Sequence, residues 1–200
     1  MIHTVTTSDN EKLSYNYVYK NNSIPLLLLH DINDTQESFN LIRDELMSNY
    51  NIIYFDYRLL DNKELVSNSS INTYTQDIIS IFDNLGISNA NIISHGSAAH
   101  IAYELSINHS DYVNAIILED FITIKTIDKL IFLKKISNIK HPTLLLKGSK
   151  SKLISANDNQ TVVMSNDFFK SASVELVESN GHIHNPKVFL SQVNKFLSIF

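Results

Sequence analysis

The chain has 200 residues, 44% of them hydrophobic, enough for one substantial core, so a single domain over residues 1–200 is expected. Charged residues make up only 18%, and a net charge of −5 with no dense basic cluster argues against a nucleic-acid partner. Cysteine is absent, which excludes disulfides, thiolate catalysis and cysteine-based zinc sites.

The N-terminal "MIHTVTTSDNEKLSYNYVYK" is polar and alternating, unlike a signal peptide. No apolar run approaches the roughly 18 residues that a membrane helix needs. A cytoplasmic protein without membrane contact is therefore the expectation. "HTVTT" and "KLSYNYVYK" around "SDNE" read as an antiparallel hairpin. "IPLLLLH" is a continuous apolar run, as in a strand buried on both faces. "SFNLIRDELM" has helical period, and "NIIYFDY" reads as a second buried strand. The region from Leu59 to Ser70 is the candidate mobile loop. In "TYTQDIISIFDNLGI" a helical stripe of Ile78, Phe82 and Leu85 ends at Gly86, a suitable C-terminal cap.

"NANIIS" is a third buried strand, followed by a helix in "SAAHIAYELSIN" and a strand in "YVNAIILED". "TIDKLIFLKKI" reads as a helix whose basic residues form a solvated face. "PTLLLKG" and "SVELVES" are strands. The last helix is "NPKVFLSQVNKFLSIF", with Asn185 as cap, Pro186 in the first turn, and Phe189, Val193, Phe196 and Leu197 facing inward. Strands alternating with helices predict an α/β fold with a mostly parallel central sheet and helices on both faces. Ligands of such sheets bind at the carboxyl ends of the strands. The residues there are His30-Asp31-Ile32, Asp56-Tyr57-Arg58, His95-Gly96-Ser97, Glu119-Asp120, Ser149 to Ser151, and Gly181-His182.

Read in order, these segments resemble the α/β-hydrolase superfamily almost from end to end. "PLLLLHD" resembles the strand ending in His-Gly that begins the oxyanion loop, and "IIYFDYR" the strand ending in Asp-x-Arg-Gly. "LGISNANIISHGSAAHIAYELSINHSDYVNAIILED" is similar, without a gap, to the family's strand, Gly-His-Ser-x-Gly-Gly elbow, helix and next strand. "HPTLLLKGSKSKLI" resembles the strand ending in Gly-x-x-Asp, and "SNGHIHNPKVFLSQVNKFL" the Gly-His segment and closing helix.

The resemblance implies an α/β-hydrolase fold and places Gly96 at the nucleophile position. Ser97 then falls one residue later, where the family donates a backbone N–H to the oxyanion hole. A helix turns about 100° per residue, so Ser97 Oγ is not expected to point where an elbow oxygen points. The oxyanion loop carries His30, Asp31 and Ile32, which puts a carboxylate beside a site that stabilises negative charge. The usual acid position is Ser151. The imidazole position is kept as His182, and Asp120 matches an alternative acid position. Ala98 and Ala99 keep the small residues of the elbow. Asp56 and Arg58 read as a structural corner, and Tyr57 and Tyr103 as packing. His184 reads as exposed. His30, His95 and His182, with Asp31, could form a metal site. The resemblance already explains each histidine, so no metal and no cofactor is assigned. The short stretch from Asp120 to Pro142 leaves no room for a sizeable cap.

Three functional classes follow. The first is a hydrolase-like protein with a degenerate catalytic triad, a pseudoenzyme that binds a small-molecule ligand or a protein partner. The second is an esterase- or thioesterase-like hydrolase that uses Ser97 or a water activated by His182. The third is a lyase or isomerase that needs only the Asp120–His182 pair. Fold alone does not choose among them.

Overall fold

Alternation at the N-terminus folds as expected into a hairpin, β1 (Ile2–Thr6) and β2 (Lys12–Val18), with Val5 opposite Leu13 on the buried face. The computed structural model describes residues 2–20, 23–59, 67–120, 138–148, 172–177 and 185–199. The apolar run "LLLL" is β3 (Leu26–Leu29), buried on both faces. It is followed by α1 (Asn40–Asn49) and β4 (Ile52–Tyr54). Helix α2 (Asn68–Leu85) starts earlier than its apolar stripe predicts. Ser67 and Ser70 form a reciprocal capping box there, so the end of the predicted Leu59–Ser70 loop is helical; residues 60–66 lie outside the described ones. Gly86 closes α2 in the left-handed conformation, φ +65°.

The chain continues through β5 (Ala90–His95), α3 (Ala99–Asn108), β6 (Val113–Glu119), β7 (Thr143–Gly148), β8 (Ala172–Val177) and α4 (Pro186–Leu197). Pro186 opens α4 as expected, but Asn185 makes no side-chain capping bond. The stretch expected to be a basic helix, and with it the expected lack of a cap, falls within residues 121–137, outside the described ones.

The strands form one sheet in the order β1-β2-β4-β3-β5-β6-β7-β8. The pairs β1–β2 and β2–β4 are antiparallel, and every other pair is parallel. Side chains alternate across the central strands, so each strand feeds two cores. Leu27, Leu29, Ile92 and Ile116 pack with Ile78 and Phe82 of α2 and Ile101 and Leu105 of α3. Leu26, Leu28, Ile93 and Ile117 pack with Ile42 and Leu46 of α1 and Phe189 and Val193 of α4. Burying each of these side chains contributes on the order of 1.5–3 kcal/mol. Among the described residues, no helix is long and apolar enough to cross a membrane.

From β3 the chain moves to β4 on one side, and then to β5 on the other. The loops after β3 and β5 therefore leave the same edge side by side, which is the switch point where such sheets hold ligands. Leu29 pairs with Ser94, so the residues just beyond, from His30 and from His95, become neighbours.

Candidate functional site

Strand β5 ends at His95 in an extended conformation, and Gly96 turns the chain at φ +61° into a short 3₁₀ turn, Gly96–Ala98, that runs into α3. Side chains are strained in that left-handed region, and glycine enters it at little cost. Gly96 thus stands at a strand-to-helix elbow, as its position in the sequence predicts. Ala98 and Ala99 are fully buried behind it, which lets α3 start tight against the sheet.

The space over Gly96 is filled from the neighbouring loop. A Cβ added to Gly96 would overlap Asp31 Oδ2, with Asp31 Cγ 3.0 Å away. Ser97 N–H donates to the same Oδ2 at 2.9 Å. The other carboxylate oxygen, Oδ1, accepts from Asn33 N–H at 2.9 Å and from Asn33 Nδ2 at 3.2 Å. Asp31 is only 9% exposed, and burial alone would raise its pKa. The bonds from Ser97 and Asn33 outweigh that, and its pKa lies below the ordinary value. Asp31 is an ionised, buried, hydrogen-bonded carboxylate at neutral pH.

Ser97 is 5% exposed. Its Oγ accepts from Ile32 N–H at 3.2 Å. The hydroxyl therefore points into the loop that follows β3.

His30 is buried beneath this loop, 2% exposed. Its Nδ1 lies 2.7 Å from the Asp31 carbonyl, which can only accept, so Nδ1 carries the proton. Nε2 faces Asp56 Oδ1 at 3.5 Å. Burial holds the His30 pKa below its ordinary value, against the opposing pull of the Asp31 carbonyl and the Asp56 charge. Tyr57 lies against the ring, centroids 4.4 Å apart, and its hydroxyl donates to the His30 carbonyl at 3.1 Å. Burial, and then the nearby Asp31 charge, push the Tyr57 phenol well above its ordinary pKa. The packing role expected of Tyr57 is what is seen.

Asp56 and Arg58 form the expected corner. Asp56 accepts from Gln36 N–H at 2.7 Å and from Gln36 Nε2 at 2.8 Å. Arg58 bridges Asp9 in the β1–β2 turn, at 2.7 Å, and Asp77 of α2, at 3.0 Å. Tyr103 packs, partly buried, against the core.

Asp120 follows β6 at φ +43° and is 4% exposed, with its N–H donating to the Leu146 carbonyl at 3.0 Å. A non-glycine residue in this region is uncommon, although aspartate tolerates it better than most. Glu119, fully buried, pairs in register with His95, which is partly exposed. His182, His184, Ser149 and Ser151 lie outside the described residues, and so does any Asp120–His182 contact. Among the described residues, no group of three His, Asp or Glu side chains is placed to hold a metal ion.

The structure thus brings together Asp31, Ile32, Gly96 and Ser97. The elbow and the loop after β3 meet, and the carboxylate expected nearby accepts directly from the Ser97 N–H. Asn33, the clamp on its second oxygen, was not singled out from the sequence. The short polar run Asp31-Ile32-Asn33-Asp34, which favours side-chain-to-backbone turns, is the signal that points to it.

No family model and no curated protein matches the sequence. Solved structures do match the fold. A predicted CIB-like hydrolase from Thermoplasma acidophilum superposes with a TM-score of 0.81 at 16% identity, covering 100% of this chain and 98% of that one. A hydrolase from Pseudomonas aeruginosa PA01 gives 0.80 at 12% identity, covering 98% of each chain. The enol-lactonase from Burkholderia xenovorans LB400 gives 0.78 at 12% identity, covering 98% of this chain and 100% of that one. At such identities the likeness establishes the fold and no particular activity.

Proposed function

We propose that this chain, built on the α/β-hydrolase fold, has lost serine-hydrolase catalysis and acts by binding a small-molecule ligand or a protein partner. The observation that carries this reading is Gly96 at the elbow. Covalent acyl transfer needs an oxygen nucleophile at that turn, a base within reach and free donors for the developing oxyanion. Gly96 supplies no oxygen, and Ser97 Oγ is turned toward Ile32 N–H. Ser151 at the usual acid position removes a second triad member.

The competing reading, an esterase- or thioesterase-like hydrolase, requires Ser97 to leave its hydrogen bond or His182 to activate a water. The two readings part in a simple assay. The chain is expected to hydrolyse short-chain nitrophenyl esters no faster than free imidazole at equal concentration. Robust turnover abolished by Ser97→Ala would establish the competing reading instead.

A further inference from the structure

We propose that the Asp31 carboxylate is a built-in occupant of the donor cradle formed by Ser97 and Ile32. It closes that cradle to oxyanions from outside, and a side chain at position 96 would have to displace it. This inference concerns regulation of the proposed site and rests on reading Gly96 as the vacated nucleophile position.

The contact between Asp31 Oδ1 and Asn33 N–H is a local turn and would need no further account. The contact between Oδ2 and Ser97 N–H is different, because it joins residues 66 apart along the chain. It forms because β3 and β5 are parallel neighbours and their loops leave the sheet together. The Ser97 N–H that the fold offers to an oxyanion is used by Asp31 Oδ2. The Ile32 N–H across from it is used by Ser97 Oγ. Both donors are therefore satisfied from within the chain, one of them by a negative charge. Charge-assisted bonds of this kind are the strong ones. An outside carboxylate would also have to compete with a tethered one, whose effective concentration is in the mM range even for flexible links.

Gly96 is the other half of the arrangement. A Cβ there would fall onto Asp31 Oδ2, whereas Gly86, also left-handed, has nothing within 4 Å of an added Cβ. The absence of a side chain at 96 and the seating of the carboxylate thus go together in this structure.

A double-mutant cycle tests the exclusion. Gly96→Ala is made in the parent chain and in an Asp31→Gly background, and urea midpoints are measured. Backbone strain at φ +61° is common to both backgrounds and cancels. The midpoint is expected to fall much further in the parent than in the Asp31→Gly background, and equal falls would overturn the proposal. The occupancy is tested by ¹H–¹⁵N spectra with acetate as the probe. Asp31→Ala, which frees the Ser97 N–H while Ser97 Oγ keeps that of Ile32, is expected to bind acetate at the Ser97 amide at least about tenfold more tightly than the parent. Equal affinity, or no binding by the folded variant, would overturn it. Should the variants not fold, the parent chain suffices. Its Ser97 and Asn33 amides are expected to titrate together, with one midpoint below the ordinary aspartate value, and independent or absent titration would overturn the proposal. None of these measurements depends on turnover, so they can fail while the loss of catalysis stands, and the reverse.

Discussion

Ser97 N–H donates to Asp31 Oδ2 at 2.9 Å, so the carboxylate of one loop sits on the backbone donor of another. Residues 31 and 97 meet because their strands are adjacent in the sheet, and the bond locks the β3 loop onto the elbow. Its strength depends on the charge of Asp31.

That charge sets a pH dependence. The Asp31 pKa is depressed in the folded chain, so the unfolded chain binds a proton first as pH falls. Its contribution is fully present above the unfolded value of about 3.9 and is lost as pH falls through the folded value. Asp31→Asn is expected to cost on the order of 1.5–3 kcal/mol at pH 7, the range for hydrogen bonds to a charged group. Urea denaturation of parent and variant across the acid range checks this: the gap should be constant near neutrality and shrink at low pH. A gap that widens at low pH would mean that Asp31 is not the stabilised anion.

A second titration runs the opposite way. Asp77 is almost fully buried, and burial raises its pKa to about 6 despite the partly compensating charge of Arg58. Between the ordinary carboxylate value and about 6, the folded chain holds this proton and the unfolded chain does not. Stability from this group therefore falls as pH rises through that window. Asp77→Asn should remove the slope. A carbon-detected titration of the Asp77 carboxyl should give a midpoint near 6, and an ordinary midpoint would contradict the burial argument.

The two left-handed glycines among the described residues separate backbone strain from crowding. Gly86→Ala should cost about 1–2 kcal/mol, since only the left-handed conformation opposes it. Gly96→Ala carries the same kind of strain, plus displacement of the Asp31 carboxylate, and should cost clearly more. Thermal or urea unfolding of the two variants ranks them directly, and equal costs would remove the crowding.

Much of this architecture was legible in the sequence. The "LLLL" run reads as a strand because burial on both faces demands it, and the Ile78–Phe82 stripe reads as a helix because its period is 3.6. The start of α2 was less legible, because "SNSS" caps through serine alone, without the glutamate that usually marks a capping box. Asn185 misled in the other direction: it has the right type and place for a cap, but its side chain makes no capping bond. The elbow at Gly96 could be placed by counting from its neighbours. The Asp31–Ser97 bond could not, since no local pattern links residues so far apart along the chain. It depends on the strand order, which only the assembled sheet reveals.

The corrected start of α2 has its own test. Ser67→Ala removes the side chain that accepts from Ser70 N–H and should cost about 1 kcal/mol. Faster amide exchange confined to the first turn of α2 should accompany the loss. An unchanged first turn would show that the capping box does not hold it.

Labelling with a fluorophosphonate probe, followed by peptide mapping, tests the central claim most directly, because the probe reports an activated serine whatever the substrate. No adduct is expected on the native chain, since position 96 has no oxygen and the Ser97 hydroxyl is engaged by Ile32 N–H. A stoichiometric adduct on Ser97, abolished by unfolding before labelling, would contradict it.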